Sequence, residues 1–161
     1  MAIGFTIRPA ISDAHLAAVG RLLEAYAASL PIDLSHESFA DEVKGLPGEY
    51  APPEGALLLA LNPAGEAVGC VGLRPLPKRS ACEMKRLYVA PAGRGHGVGK
   101  ALGAAIIREA KDCGYSTMYL GTLPGMEAAQ SLYRNLGFEQ TSPYYRSHFR
   151  GMLFYRLEIA T

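Results

Sequence analysis

The sequence lacks the features that mark disulfide-linked, metal-centred and membrane-spanning proteins. It has three cysteines, at positions 70, 82 and 113, without a C-x-x-C spacing, so neither a disulfide framework nor a structural zinc site is expected. The four histidines form no H-x-x-x-H pair, and we predict no metal site. The longest apolar runs, such as residues 56–61, are too short to cross a bilayer. The composition therefore excludes a membrane-spanning protein.

A charge excess and a recognisable targeting segment are also missing. Sixteen Lys and Arg residues face 15 Asp and Glu residues, a net charge of +1, so no field of the whole molecule attracts nucleic acid or an anionic membrane. Residues 1–9 contain no basic region followed by an apolar core, and we therefore expect a cytoplasmic protein without a secretory signal. A length of 161 residues, 49% of them apolar, predicts one folded domain over residues 1–161.

Hydrophobic periodicity predicts strands and helices that alternate along the chain. Strands are predicted at residues 3–8, 56–61, 67–73, 82–89, 117–120, 138–143 and 152–159. Helices are predicted from Ser12 or Asp13, over residues 35–43, from 97 to 114 and over 127–136. The segment 82–120 is a βαβ unit, so its two strands should be parallel, whereas the other strands should pair antiparallel. We expect an α/β (α+β) domain with about four helices and a mixed, mostly antiparallel sheet.

The predicted strand 82–89 changes its alternation partway along. Cys82 and Met84 share one face, and the apolar phase then restarts at Leu87 and Val89. A β-bulge produces such a slip of one residue, and bulges often re-aim backbone groups beside active sites. A strand that is buried on both faces would explain the same pattern, and both interpretations stay open.

The most informative stretch is LYVAPAGRGHGVGK at residues 87–100, in which a strand, a glycine-rich turn and an amphipathic helix follow one another. Glycines let the backbone approach a ligand, and a helix start offers N–H groups and the positive end of the helix dipole. This arrangement predicts an anion site, most often for phosphate or pyrophosphate. The candidate residues of this turn are Arg94, Gly95, His96, Gly97, Val98, Gly99 and Lys100.

Neither of two common nucleotide-binding motifs fits this turn. A Walker A loop would need glycine at the position of Arg94 and a hydroxyl at the position of Ala101. A dinucleotide fingerprint needs G-x-G-x-x-G, but the glycines fall at positions 95, 97 and 99 and are followed by Lys100. The pattern that does fit is R-x-x-G-x-G, which begins at Arg94.

Three segments occur in order and at fitting distances: EMKRLYV at 83–89, R-x-x-G-x-G at 94–99 and A-x-x-L-Y-x-x-L-G-F at 129–138. Together they resemble the GNAT superfamily of acetyl-CoA-dependent N-acetyltransferases, and the order of elements extends the resemblance over roughly residues 3 to 159. The resemblance implies a GNAT-like fold with a β-bulged, splayed parallel strand pair. It also implies transfer of an acetyl group from acetyl-CoA to a primary amine of a small molecule or peptide, by direct attack in a ternary complex.

The resemblance further implies where acetyl-CoA, the co-substrate, would bind. The bulged strand at Leu87, Tyr88 and Val89 would pair through its backbone with the pantetheine arm, as an added strand would. Backbone N–H groups of residues 95–100 would hold the pyrophosphate. The two parallel strands would splay apart and admit the cofactor into the gap. No metal is implied.

Two residues match catalytic positions of the family. Tyr133 matches a tyrosine near the coenzyme A sulfur and would protonate or hydrogen-bond the leaving thiolate; a core aromatic residue is the alternative. Glu83 lies where the family often has an acidic residue, and it would accept the amine proton, through water. Alternatively, Glu83 pairs with Arg86 or Lys85 or only binds substrate. Many relatives have Asn where this chain has Met126, which we expect to pack against its neighbours.

The acceptor amine is expected to bind opposite the cofactor, beside the loop that joins the last two strands. The candidate residues of this loop are Tyr144, Tyr145, Arg146 and Arg150. The arginines would recognise a carboxylate or phosphate and the tyrosines would form a pocket wall, whereas a polar hairpin tip is the alternative. A non-catalytic acyl-CoA-binding module, an O-acetyltransferase and an enzyme for longer acyl chains share these motifs. A homodimer is left open as well.

Overall fold

The computed structural model describes residues 4–31, 33, 38–147 and 151–159. Within these residues, four α-helices pack against one seven-stranded sheet. The strands are β1 (Thr6–Pro9), β2 (Ala56–Leu61), β3 (Ala67–Pro75), β4 (Ala81–Val89), β5 (Thr117–Thr122), β6 (Glu139–Thr141) and β7 (Leu153–Glu158). The helices are α1 (Asp13–Ser29), α2 (Phe39–Lys44), α3 (Val98–Asp112) and α4 (Glu127–Asn135).

The sheet has the order β1-β2-β3-β4-β5-β7-β6. The pair β4–β5 is parallel and each of the other pairs is antiparallel, which confirms the predicted mixed sheet. One apolar core lies between the sheet and α3, and a second lies between the sheet, α1 and α2. The central strands are therefore covered on both faces. None of the described helices has the length and apolar character that crossing a membrane requires.

Helix starts follow the local sequence signals. The Ser12 side chain accepts a hydrogen bond from the His15 backbone N–H at 3.1 Å and so caps α1. Gly97 precedes α3 with φ of +79°, a conformation that glycine adopts without steric strain. The predicted apolar face of α3, which includes Leu102 and Ile106, is buried against the sheet.

The predicted bulge is present in β4. Cys70 of β3 lies opposite Tyr88, but Gly72 lies opposite Lys85, so β4 contains one residue more than β3 across this interval. Arg86 lies within the interval and has φ of +61°. The start of β4 is also buried on both faces, and both explanations of the sequence pattern therefore hold.

The predicted splay of the parallel strands is confirmed by their register. β4 pairs with β5 only from Ala81, opposite Thr117, to Glu83, opposite Tyr119. Beyond Glu83 the two strands are no longer paired, although both continue. Glu83 therefore lies at the point where the gap between the strands opens.

Some element boundaries differ from those predicted. α2 begins at Phe39, after Ser38 in a left-handed conformation, and positions 35–37 of the predicted helix lie outside the described residues. β6 covers only Glu139–Thr141 of the predicted strand 138–143. It begins after Phe138, because the Phe138 backbone N–H donates to the Tyr133 carbonyl at 3.0 Å and so completes the end of α4. The chain can join the sheet only after this contact.

Candidate active site

The gap between β4 and β5 opens into a pocket. It is lined by residues from β4, β5 and α4, together with Tyr26 of α1 and Met152 before β7. Four residues predicted from the sequence line this pocket: Glu83, Leu87, Tyr133 and Tyr145. The fold thus brings both candidate catalytic side chains to the gap that the splayed strands create.

The glycine turn leads from the end of β4 to the start of α3. Gly95 and Gly97 have φ of +81° and +79°, and a Cβ atom added at either would meet no protein atom within 4 Å. The open space lies beside the first turn of α3, whose N–H groups have no capping side chain to donate to, because the N-cap residue is Gly97. The turn therefore has the geometry that an anionic group requires.

Several predicted residues of the glycine turn and the strand before it have side chains that are buried or bonded to the protein. Tyr88 packs into the core against the ring of Tyr26, with ring centroids 5.6 Å apart. The side chain of Val98, the first residue of α3, is also buried. Arg94 Nε donates to the Val89 carbonyl at 3.0 Å, which fastens the turn to the end of β4. Tyr88 and Val98 can therefore meet a ligand only through backbone atoms, whereas Lys100 is exposed.

Glu83 is 2% exposed, and each of its carboxylate oxygens accepts a hydrogen bond from a neighbouring side chain. Arg74 Nε donates to Glu83 Oε1 at 2.7 Å, and the Tyr144 hydroxyl donates to Glu83 Oε2. The Arg74 guanidinium also bonds Glu49, at 2.6 Å. The alternatives from the sequence paired Glu83 with Lys85 or Arg86, but its ion pair in the structure is with Arg74, the residue opposite it on β3.

Tyr133 is both a core residue and a pocket residue. Its ring packs near Phe138 and Tyr155, with centroids 6.1 and 6.2 Å away, and it also lines the gap. Burial raises the pKa of Tyr133 above its usual value, so its hydroxyl stays protonated at neutral pH. A protonated tyrosine hydroxyl is a group that can donate to a developing thiolate.

Beyond Glu83 lies a second pocket, which the loop after β6 borders. Tyr144, Tyr145 and Arg146 line it together with Lys85 of β4. Burial, followed by the charge of Glu83, raises the pKa of Tyr144, whose hydroxyl therefore remains a donor. Arg146 is exposed at this pocket. The remaining predicted loop residue, Arg150, lies outside the described residues.

A second ion pair joins the bulge of β4 to α2. Arg86 donates from Nε and Nη2 to Glu42 Oε2 and Oε1, at 2.8 and 3.0 Å. The Tyr50 hydroxyl donates to the same Glu42 Oε2 at 3.0 Å. Burial raises the pKa of Glu42, but the hydrogen bonds and charge of Arg86 outweigh burial and lower it overall, so the pair is ionised at neutral pH.

The cysteines do not provide a nucleophile at the gap. Burial raises the pKa of Cys70 and of Cys82 to about 12, so both thiols are protonated at neutral pH. Cys113 is exposed and lies after α3. Among the residues that the structure describes, no three His, Cys, Asp or Glu side chains are grouped to hold a metal ion.

Sequence reasoning missed the side chains that hold Glu83 and Arg86 in place. Arg74 could have been found, because the antiparallel connection from β3 to β4 places it opposite Glu83 once the turn between them is counted. No comparable sequence pattern pointed to Glu42. It lies 44 residues before Arg86, and no local pattern relates a short helix to a distant bulge.

Comparison with known proteins agrees with this architecture. The model of the acetyltransferase (GNAT) family matches residues 19–138. An uncharacterised N-acetyltransferase of Schizosaccharomyces pombe is 37% identical over 139 residues, which cover 86% of this chain and 85% of that protein.

Two solved structures share the fold. An acetyltransferase of the GNAT family from Staphylococcus aureus superimposes with a TM-score of 0.80 at 21% identity, over 98% of this chain and 100% of that one. An acetyltransferase from Salmonella typhimurium, solved with its cofactor acetyl-CoA, superimposes with a TM-score of 0.70 at 23% identity, over 97% of this chain and 94% of that one. The two structures show that the chain shares this fold. The family match and the S. pombe relative establish that it belongs to the GNAT family, as an acetyl-CoA-dependent N-acetyltransferase.

Proposed function

We propose that this enzyme acetylates a primary amine by direct attack on acetyl-CoA in a ternary complex, with Glu83 as base and Tyr133 as acid. One observation carries the proposal: the two side chains line the same pocket, in the gap between β4 and β5. Because Cys70 and Cys82 are buried and protonated, a covalent acetyl-cysteine intermediate has no support.

The cofactor arm would bind along the part of β4 that β5 leaves unpaired. After Glu83, the backbone of β4 has no ladder partner on this side, and Leu87 lines the gap. An extended pantetheine arm with its amide groups can occupy this edge as an added strand does. The pyrophosphate would then reach the turn at Gly95–Lys100, where the positive-φ glycines leave room and α3 begins.

The chemical step needs two proton movements. As the amine nitrogen bonds to the acetyl carbon, the C–S bond breaks, the nitrogen loses a proton and the departing sulfur gains one. Tyr133 supplies the proton to sulfur, since its hydroxyl is protonated at neutral pH. Glu83 receives the amine proton through water, and Arg74 and Tyr144 hold its carboxylate in a fixed orientation.

The acceptor would enter from the second pocket and would carry an anionic or strongly polar group beside its amine. This pocket shares Glu83 with the gap, so an amine there lies on the side of the proposed base. Lys85 and Arg146 also line it and supply positive charge that suits a carboxylate or phosphate.

A thiol-release assay with acetyl-CoA tests the proposal. The panel comprises amino acids, amino-acid amides, polyamines, aminoglycosides and peptide N-termini. We expect release with at least one amine that carries an anionic group. The variant Glu83→Gln should lower the rate and remove the fall in activity at acidic pH, because a base must be unprotonated to act.

The matched control is Glu139→Gln, which removes a carboxylate from the exposed strand β6 and should behave as the parent does. Coenzyme A binding without thiol release for any acceptor would instead favour a non-catalytic binding module. A Glu83→Gln variant with the parent rate and pH profile would remove Glu83 from the role of base.

A further inference from the structure

We propose that Arg86 is a positioning residue, whose side chain holds the β4 bulge in the shape that coenzyme A requires by clamping it to Glu42 on α2. The inference rests on the proposed binding of the cofactor arm along β4. It assigns a role to the Arg86–Glu42 ion pair, which does not belong to the proposed chemical step.

The backbone of Arg86 gives the first argument. Its φ of +61° is a left-handed conformation that costs free energy for any residue with a Cβ atom, whereas glycine adopts it freely. Such strain persists only where the surrounding structure holds it in place. The contacts of the Arg86 side chain provide that support.

Those contacts come from two other elements of the fold. The Arg86 guanidinium makes two hydrogen bonds to Glu42 and lies 5.0 Å from the ring centre of Phe39, also on α2. Tyr50, from the 3-10 turn before β2, holds the same carboxylate. A planar guanidinium that is bound at two points has a defined orientation, so the bulge is fixed by groups distant in sequence.

The location of the pair explains why its geometry matters to a ligand. Arg86 directly precedes Leu87, whose backbone the pantetheine arm would meet, and both residues line the gap. On the other side, Glu42 lines the second pocket. Buried ion pairs are often no more stabilising than apolar residues of the same size, so positioning is the more economical explanation of this one.

Calorimetric titration with coenzyme A tests the clamp. The KM for acetyl-CoA, kcat and Tm are measured in parallel. Arg86→Gly removes the clamping side chain, and glycine adopts the positive φ without strain, so no new backbone strain is introduced. We expect it to raise the Kd for coenzyme A by about 10-fold or more, as it would if only about a tenth of the unclamped molecules kept the bulge in the binding conformation. Arg86→Lys keeps the charge but loses the two-point contact, and should give a smaller increase.

A second variant gives the test an independent arm. Glu42→Gln leaves β4 unchanged in sequence and should also raise the Kd. The double variant Glu42→Gln/Arg86→Gly should bind no more weakly than Arg86→Gly alone, because both changes remove the same interaction. Glu158→Gln, which removes the carboxylate of an exposed Arg–Glu pair on β7, is the control and should match the parent.

If the pair only stabilised the fold, Arg86→Gly and Glu42→Gln would lower Tm but keep the Kd for coenzyme A within twofold of the parent. That result would overturn the inference. Should Arg86→Gly fail to fold, Arg86→Lys and Glu42→Gln decide by the same criterion. Failure of the proposed function is seen separately, in a parent protein that does not bind coenzyme A or releases no thiol.

Discussion

The two sides of the candidate site are built in different ways. The glycine turn that leads to α3 offers mostly backbone: Gly95 and Gly97 have positive φ, open space and exposed positions. The wall around Glu83 consists instead of paired side chains, with Arg74 and Tyr144 bonded to a carboxylate that is almost fully buried.

The two sides should therefore tolerate amino-acid substitutions differently. Backbone N–H groups at a helix start bind an anion regardless of most side chains, provided that no Cβ atom blocks the approach. A network of buried charges depends on the identity of each member, since loss of one partner leaves the other unpaired. We therefore expect a side chain added at the turn to block coenzyme A binding. A substitution in the wall around Glu83 should instead slow the reaction or weaken substrate binding.

The largest effect is expected at the turn. Gly97→Val places a β-branched side chain at positive φ, in the space that the pyrophosphate would occupy, and should raise the Kd for coenzyme A by more than about 100-fold in calorimetry. Gly114→Val is the matched control, since Gly114 also has positive φ and open space but lies after the other end of α3. Unchanged affinity in folded Gly97→Val would place the pyrophosphate elsewhere.

A smaller effect, limited to catalysis, is expected at Tyr133. Tyr133→Phe keeps the packed ring and removes the proton donor, so kcat should fall by about 100-fold while the KM for acetyl-CoA changes little. Tyr155→Phe controls for loss of a hydroxyl in the same aromatic group. Equal kcat values for the two variants in steady-state kinetics would contradict the proposed proton donation by Tyr133 and show that the residue serves only to pack the core.

A substitution in the second pocket should change the KM of the acceptor amine. Arg146→Ala should raise the KM of an anionic acceptor by about 10-fold, because it removes a charged contact at the second pocket, and leave the acetyl-CoA KM nearly unchanged. Arg108→Ala, on the exposed face of α3, is the control. An acceptor that proves to be a purely cationic polyamine would contradict the proposed recognition.

The smallest effect is a pH dependence of stability. The folded pKa of Glu42 lies below its ordinary value of 4.5, so its ionisation stabilises the fold above that pH, and this contribution is lost as the pH falls through the folded pKa. Glu42→Gln should lower Tm by about 2–4 °C at pH 7. Thermal melts of the two proteins should converge in acid, and a constant difference down to pH 3 would show that the ionised pair contributes nothing.

Much of the turn side was predictable, because its signals are local. Glycine spacing, the start of α3 and the slip of phase in β4 all depend on neighbouring residues, and the structure has each of them where expected. Little of the wall side was predictable. Its contacts join Glu83 to a loop 61 residues later and Arg86 to a helix 44 residues earlier.

The order of the strands and helices, the change of phase in β4 and the glycine turn could be predicted from the sequence, since backbone conformation and amphipathic spacing act over a few residues. The tertiary structure sets the residue after which β4 and β5 part, and it brings Glu83 and Tyr133 to the same pocket. It also brings Tyr144 to Glu83 and Glu42 to Arg86. The physical reason is that a buried charge takes whichever partner the packing of distant elements brings within hydrogen-bond distance.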